Sequence, residues 1–155
     1  MLYAILADRG YFPEERLKYF RQINSILPGH PDLNKTPGVD MTCGSLGQGL
    51  SIGIGLALGA KLNNQKFRTY VLMGDGELNE GQVWEAIMFA NKEKLNNLIA
   101  IVDYNSVQLD GSCNEIMPMF PLKEKWEAFG WRVIEINGHN VIDILNALDW
   151  AKQIA

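Results

Sequence analysis

Hydrophobic residues along the chain follow two spacings, one typical of strands and one typical of helices. Short runs of β-branched, aromatic and aliphatic residues predict strands at positions 69–73, 98–104 and 131–136. Apolar residues repeated every three to four positions predict helices at positions 2–7, from Pro13 onward, and at 45–62, 83–95, 122–129 and 140–154. Between the second and third helices, a segment rich in Pro, Gly and Asn predicts a long irregular loop at positions 28–44.

The alternation of strands and helices predicts an α/β fold of three layers, with a mostly parallel sheet and helices on both faces. Segment 98–104 is almost wholly apolar, as expected of a strand that is covered on both faces. We expect a single domain over residues 1–155, because this length is ordinary for one domain. Three strands are few for such a sheet, so we expect the fold to be incomplete and part of its apolar face to be uncovered.

The helix predicted at 45–62 is unusually rich in glycine. Each glycine costs a helix roughly 1 kcal/mol relative to alanine, so we expect close backbone packing to offset the cost. Segment 53–59 looks like a dinucleotide fingerprint. However, no predicted strand precedes it and its spacing differs from Gly-x-Gly-x-x-Gly, so we do not expect NAD to bind. The glycines in question are Gly47, Gly49, Gly53, Gly55 and Gly59.

Composition and charge argue against several classes of function. The net charge is −4 and no cluster of Lys or Arg stands out, which argues against a nucleic-acid partner. The most apolar stretch, 50–60, is shorter than the roughly 20 residues that cross a bilayer, and the N-terminus lacks the basic leader of a signal peptide. The two cysteines, Cys43 and Cys113, form no metal-binding motif. We therefore expect a soluble cytoplasmic protein with reduced thiols and no membrane partner.

Polar residues follow two of the predicted strands at the points where the strands end. Gly74-Asp75-Gly76 follows the first strand, and Asn105 follows the second, thirty positions after Asp75. The carboxyl ends of neighbouring parallel strands meet at one edge of a sheet, where ligands bind. A carboxylate and an amide oxygen suit Mg²⁺, which commonly takes further oxygens from phosphate and water. The alternative is that Gly-Asp-Gly forms a plain strand-to-helix turn and that Asn105 is a cap.

Several motifs of the chain resemble the transketolase family, and they occur in the family's order. The resemblance covers essentially the whole chain and is nearest to the separately encoded N-terminal subunit of split transketolases. It implies the thiamine diphosphate-binding fold, and we expect an N-terminal subunit truncated at both ends. The motifs are PGHP at 28–31, TPGV at 36–39, GSLGQG at 44–49, GDGELNEGQVWEA at 74–86 and DYNSVQLDG at 103–111.

The resemblance implies a site for thiamine diphosphate and a divalent metal. Asp75, Asn105 and the backbone carbonyl of Val107 would bind Mg²⁺, with Ca²⁺ or Mn²⁺ as substitutes. Ser45 stands where many transketolases have Pro, and the change should be mild because the contact there is mostly main chain. The residues that would bind the cofactor are Gly44, Ser45, Leu46, Gly74, Asp75, Gly76, Glu77 and Asn105.

Two further residues would act in catalysis if the resemblance holds. His30 would donate hydrogen bonds to the hydroxyls of the sugar substrate, and Glu80 would join a carboxylate relay that reaches the partner. Outside the family context, His30 also fits an ordinary loop position. Glu80, early in a predicted helix, also fits a favourable charge at the positive end of the helix dipole.

The family's activity implies transfer of a two-carbon ketol unit between sugar phosphates, as in the pentose phosphate pathway. A second, pyrimidine-binding domain supplies the glutamate that activates the cofactor, so we expect the partner to be a C-terminal subunit, in a homo- or hetero-oligomer. The isolated chain should have weak or no activity. Two alternatives stay open: the α-subunit of a 2-oxo acid dehydrogenase, which uses a related Gly-Asp-Gly site, and a non-catalytic remnant or binding module. The sequence contexts of His30 and Glu80 favour transketolase over the dehydrogenase.

Overall fold

The computed structural model describes residues 1–154, which form two compact units. The first unit comprises Met1–Ser45, and the second begins at Leu46. Each unit has its own hydrophobic core. The single domain expected over residues 1–155 stays a prediction.

The first unit contains one α-helix and one 3-10 helix. Helix α1 (Leu2–Asp8) confirms the helix predicted at 2–7, and the 3-10 helix follows at Glu14–Tyr19. Positions 28–44 hold neither helix nor strand, as predicted. The buried core of this unit consists of Leu6, Ala7, Phe12 and Leu27.

The amphipathic helix predicted from Pro13 was wrong in type and extent. The 3-10 helix ends at Tyr19, and Ile23, an apolar residue at helical spacing from Phe20, is 93% exposed. Arg21 adopts a φ of 61°, a left-handed conformation that interrupts a helix. Its N–H donates to the carbonyl of Leu27 instead (2.9 Å).

The second unit has the alternating strands and helices of an α/β fold, which confirms the predicted fold class. Strands β1 (Thr69–Gly74) and β2 (Leu98–Asp103) pair in parallel, with Gly74 opposite Asp103, and strands β3 (Val107–Gln108) and β4 (Gly111–Ser112) form an antiparallel hairpin. The elements in order are α2 (Gly49–Leu62), β1 (Thr69–Gly74), a 3-10 helix (Gly76–Asn79), α3 (Gly81–Lys92), β2 (Leu98–Asp103), β3 (Val107–Gln108), β4 (Gly111–Ser112), α4 (Cys113–Ile116), α5 (Leu122–Ala128) and α6 (Val141–Ile154).

The core of the second unit lies against one face of β1. Val71 and Met73 point into it, and the residues that alternate with them are exposed, as the period of a strand dictates. Helices α2, α3 and α5 supply most of the rest of the core. Three tryptophans join it: the ring centroids of Trp84 and Trp131 lie 6.4 Å and 5.0 Å from the ring centroid of Trp126.

Close packing explains only some of the glycines in α2. A side chain at Gly53 would collide with Val71, and one at Gly49 would touch the same valine at 3.6 Å. These glycines let the helix approach the sheet, as expected. For Gly55 and Gly59 the expectation was wrong, because a side chain there would meet no atom of the described residues within 4 Å.

The third strand, predicted at 131–136, does not form within residues 1–154. Trp131 and Val133 are half-buried against the core, which accounts for the apolar pattern. The segment is held by side-chain packing and by a hydrogen bond from Trp131 Nε1 to the carbonyl of Ile87 (3.1 Å). Without a ladder partner, an apolar segment remains irregular.

The opposite face of the sheet is thinly covered, as expected for part of its apolar face. Leu72 on that face is 71% exposed. α6 contributes no buried residue among those described, although the Arg68 side chain donates a hydrogen bond to the carbonyl of Lys152 near the end of this helix (2.9 Å). Of the helices in residues 1–154, none combines the length and the apolar character needed to cross a bilayer.

Candidate cofactor and metal site

The carboxyl ends of β1 and β2 lie side by side and carry the two predicted metal ligands. Gly74 and Asp103 are paired, and the N–H of Asp75 donates to the carbonyl of Asp103 (3.2 Å). The ladder therefore continues one residue past β1. Asp75 emerges beside the segment that leads from β2 to Asn105, which is the juxtaposition expected from the strand-end rule.

Asp75 carries a carboxylate that is buried at the end of β1. It is 1% exposed, and its two oxygens accept hydrogen bonds from the N–H groups of Gly76 (3.0 Å) and Ser106 (2.9 Å). None of the ion pairs within residues 1–154 includes it. A buried charge is costly unless it is paired or bound to a metal, so this position favours a cation.

Asn105 shapes the turn that contacts Asp75. Its Oδ1 accepts a hydrogen bond from the N–H of Val107 (2.9 Å), and its Nδ2 donates to Asp103 (3.2 Å). Ser106 between them has a φ of 63°, which turns its N–H toward Asp75. The side chain of Asn105 is exposed, and Val107 begins the hairpin directly after the turn.

Gly76 and Glu77 begin the 3-10 helix that follows Asp75. A side chain at Gly76 would lie 2.8 Å from Cβ of Gln108, so only glycine fits beside the hairpin. The carboxylate of Glu77 accepts hydrogen bonds from the N–H groups of Gly47 (2.9 Å) and Gly74 (3.3 Å). This side chain links the loop before α2 to the end of β1.

Glu80 lies at the N-cap position of α3, with its side chain exposed and making no capping hydrogen bond. Its Cβ lies close to Gly47, where an added Cβ would stand 2.6 Å away. Leu46, the first residue of the second unit, is exposed. The side chain of Glu80 therefore does not stabilise the N-terminal end of α3 by a hydrogen bond.

Within the first unit, His30 and Gly44 lie against each other. Gly44 has a φ of 124°, and a side chain there would stand 2.9 Å from Cγ of His30. Both residues and the neighbouring Ser45 are exposed. The imidazole is thus available to a ligand, and the glycine leaves room for the ring.

Two residues near Asp75 were not predicted from the sequence. Cys113 is buried, and burial raises the pKa of its thiol; a hydrogen bond to Asp75 and the charge of that carboxylate raise it further. Partial burial raises the pKa of Tyr104, with a smaller contribution from the charge of Asp75. The hairpin brings Cys113 back to the site, and no motif spacing in the sequence signals that return.

The oxygen donors at the strand ends suit a hard divalent cation. Residues 1–154 contain no group of three or more His, Cys, Asp or Glu side chains placed to hold a metal ion. A carboxylate, a side-chain amide and a backbone carbonyl are oxygen ligands of the kind that Mg²⁺ takes together with phosphate. The residues at this edge fit such a group.

Comparison with protein families gives a match along the entire chain. Residues 1–155 match the family model described as transketolase, thiamine diphosphate binding domain. The chain is 49% identical over 152 residues to the SqwG subunit of a 6-deoxy-6-sulfo-D-fructose transketolase from Clostridium sp. (strain MSTE9), covering 98% of this chain and 55% of that protein. It is 46% identical over 147 residues to one subunit of the apulose-4-phosphate transketolase of Actinobacillus succinogenes, covering 95% and 53%. The chain thus spans about half the length of these relatives.

Solved structures show the same similarity in three dimensions. The transketolase of Campylobacter jejuni superposes with a TM-score of 0.92 at 38% identity, over 98% of this chain and 25% of that one. A Pichia stipitis transketolase in complex with sedoheptulose 7-phosphate gives 0.92 at 36% identity, over 99% and 24%. The α/β arrangement described above is therefore the arrangement found in these proteins.

Proposed function

This chain belongs to the transketolase family as its thiamine diphosphate-binding domain, and we propose that it is the N-terminal subunit of a split transketolase. Its activity, with a partner, is transfer of a two-carbon ketol unit between sugar phosphates. The observation that carries the proposal is the buried carboxylate of Asp75 beside Asn105, which forms no ion pair within residues 1–154, in a chain that matches the family throughout.

Mg²⁺ is the metal we propose, held by Asp75, Asn105 and the carbonyl of Val107, with Ca²⁺ or Mn²⁺ as substitutes. A divalent cation would compensate the buried charge of Asp75. The exposed amide of Asn105 can supply a neutral oxygen, because one hydrogen bond leaves a lone pair free. All three donors are oxygens, the preference of this ion.

Thiamine diphosphate, when bound, supplies a nucleophilic carbanion and an electron sink, while the protein supplies position and electrostatics. Backbone groups of Gly44, Leu46 and Gly76 would hold it, in loops where glycine permits close approach. Ser45, Gly74 and Asn105 complete the proposed contacts, and Glu77 would lie near the diphosphate. His30, exposed beside Gly44, would bind the hydroxyls of the sugar. Glu80, whose carboxylate caps no helix end, would be free to join a relay to the partner.

We propose that the partner is a C-terminal, pyrimidine-binding subunit, in a hetero-oligomer whose sites need both chains. Relatives that are themselves named as subunits support this. The two kinds of relative act on 6-deoxy-6-sulfo-D-fructose and apulose 4-phosphate, so the substrate class is a ketose with an anionic end group, phosphate first and sulfonate second. The pentose phosphate pathway and a cytoplasmic location remain parts of this proposal.

Thermal unfolding of the purified chain tests the site. Thiamine diphosphate plus Mg²⁺ together should raise the melting temperature, since a ligand at a hundredfold excess over its Kd stabilises by about 2.7 kcal/mol. Asp75→Ala should abolish the rise. Asp110→Ala, an exposed carboxylate at the tip of the hairpin, is the matched control and should retain it.

Activity with the partner subunit separates the rival functions. Ketol transfer from a ketose phosphate or sulfonate supports the proposal. Turnover of a 2-oxo acid without any ketose would instead make the chain a dehydrogenase subunit. Complex formation with no turnover of either substrate would make it a binding module.

A further inference from the structure

One side chain ties together two segments that the proposed cofactor site requires. Glu77 accepts one hydrogen bond from Gly47, thirty positions earlier, and another from Gly74 at the end of β1. Each carboxylate oxygen takes one of the two backbone N–H groups. Because the acceptor is ionised, such bonds are stronger than those between neutral groups.

The loop end held by Glu77 is also constrained at the Cα of Gly47. Gly47 is buried and has a φ of 82°, a conformation that favours glycine. Glu80 closes the space on its Cα side, since an added Cβ would stand 2.6 Å from that of Glu80. The loop is therefore fixed by a hydrogen bond on the N–H and by steric contact at Cα.

The other end of the link adjoins the proposed metal ligand. Gly74 directly precedes Asp75, so Glu77 sets the distance between the loop that leads into α2 and the strand end that carries the buried carboxylate. A carboxylate is itself a poor ligand for a diphosphate, because like charges repel. The charge of Glu77 is instead stabilised within the protein by hydrogen bonds from the N–H groups of Gly47 and Gly74.

We infer that Glu77 is a positioning residue: it holds the glycine loop at Gly47 against the end of β1 and does not itself bind the diphosphate. The inference rests on the proposed function, because the loop that Glu77 positions is the one proposed to hold thiamine diphosphate. Both hydrogen bonds that define the role join groups of this chain, so this clamp, formed by Glu77, Gly47 and Gly74, can be tested in the chain alone.

Glu77→Gln is the decisive variant because it preserves size and removes one acceptor. A glutamine has a single oxygen, and its NH₂ group would face the N–H of Gly47 or Gly74. Two controls accompany it. Glu85→Gln removes an exposed carboxylate of α3; Asn97→Ala removes the hydrogen bond to the carbonyl of Ala57 (3.0 Å) at the far end of the strands and lowers stability away from the site.

Amide hydrogen exchange by NMR, without ligand, measures the clamp. Exchange at Gly47 or Gly74 should speed up about tenfold in Glu77→Gln, the factor that corresponds to 1.4 kcal/mol. It should stay at the wild-type rate in Glu85→Gln. Unchanged exchange at both glycines in Glu77→Gln would overturn the inference whether or not the chain binds cofactor.

Calorimetric titration with thiamine diphosphate at saturating Mg²⁺, well below every melting temperature, measures the consequence. We expect the Kd to rise about tenfold in Glu77→Gln and to be unchanged in Asn97→Ala, even though both are less stable. An equal rise in Asn97→Ala, or none in Glu77→Gln, would overturn the positioning role. A wild-type chain that binds no cofactor even with its partner would refute the proposed function instead, and the exchange rates would still decide the clamp.

Discussion

At the scale of single residues, the site depends on backbone conformations that only particular side chains allow. Gly47 illustrates this because two independent constraints exclude a side chain: its φ of 82° and the 2.6 Å approach of Glu80. Asp75 illustrates the opposite case, in which hydrogen bonds from backbone N–H groups compensate part of the cost of a buried carboxylate. In both cases the effect comes from neighbouring atoms of the chain and can be tested by one substitution.

Gly47→Ala should destabilise the chain by about 1–3 kcal/mol, since alanine at a left-handed position is strained and here also collides with Glu80. Urea unfolding followed by circular dichroism measures the change. Gly81→Ala is the matched control: an added methyl group there meets no described atom within 4 Å and the position carries no left-handed φ. A loss in Gly47→Ala no larger than that in the control would contradict the argument.

The two cysteines should differ sharply in reactivity. Cys113 is 3% exposed, and burial together with Asp75 raises the pKa of its thiol. A raised pKa lowers the fraction of the reactive thiolate at any given pH. Iodoacetamide at pH 8 should therefore modify the exposed Cys43 first, with mass spectrometry locating the adduct. Equal modification of both thiols in the native chain would show that Cys113 is accessible.

Whether the sequence predicts a residue of the site depends on the structural element that brings that residue there. Asp75 and Asn105 were expected to be neighbours because both follow parallel strands, and the geometry agrees. Cys113 and Gln108 reach the same region through a hairpin with strands of two residues each. Such short strands leave no period in the sequence, so nothing signalled that they return to the site.

At the scale of elements, the spacing of hydrophobic residues predicted the helices well and the strands less well. Helices α2, α3, α5 and α6 lie within a few residues of their predicted bounds, because an amphipathic stripe is encoded locally. A strand also needs a partner, which local pattern does not specify. The segment at 131–136 has the apolar residues of a strand but no ladder partner in residues 1–154.

Helix α2 offers a test of glycine at matched positions of one element. Gly55→Ala should stabilise the chain by about 0.5–1 kcal/mol, because its position is open and alanine is the better helix former. Gly53→Ala should destabilise it, because its methyl group would collide with Val71. Chemical denaturation of the two variants should give changes of opposite sign. Stabilisation of both would mean that α2 can move away from the sheet.

At the scale of the molecule, the sheet of the second unit is unequally covered. Its core lies on the Val71 and Met73 side of β1, while Leu72 on the other side is 71% exposed. Parallel sheets are ordinarily buried on both faces. Stability should therefore depend strongly on one face of β1 and hardly on the other, even for adjacent residues.

Adjacent truncations measure this asymmetry. Met73→Ala should cost about 2–5 kcal/mol, as a large-to-small change in a packed core does, since Met73 is 2% exposed. Leu72→Ala should change the free energy of unfolding by no more than about 0.5 kcal/mol, and it should reduce the fluorescence of a dye that binds exposed apolar surface. Urea unfolding of both variants gives the comparison. If Leu72→Ala proved as costly as Met73→Ala, the outer face would have to be buried in solution, and the layer that covers it would have to come from a second copy of the chain or from the rearrangement of α6.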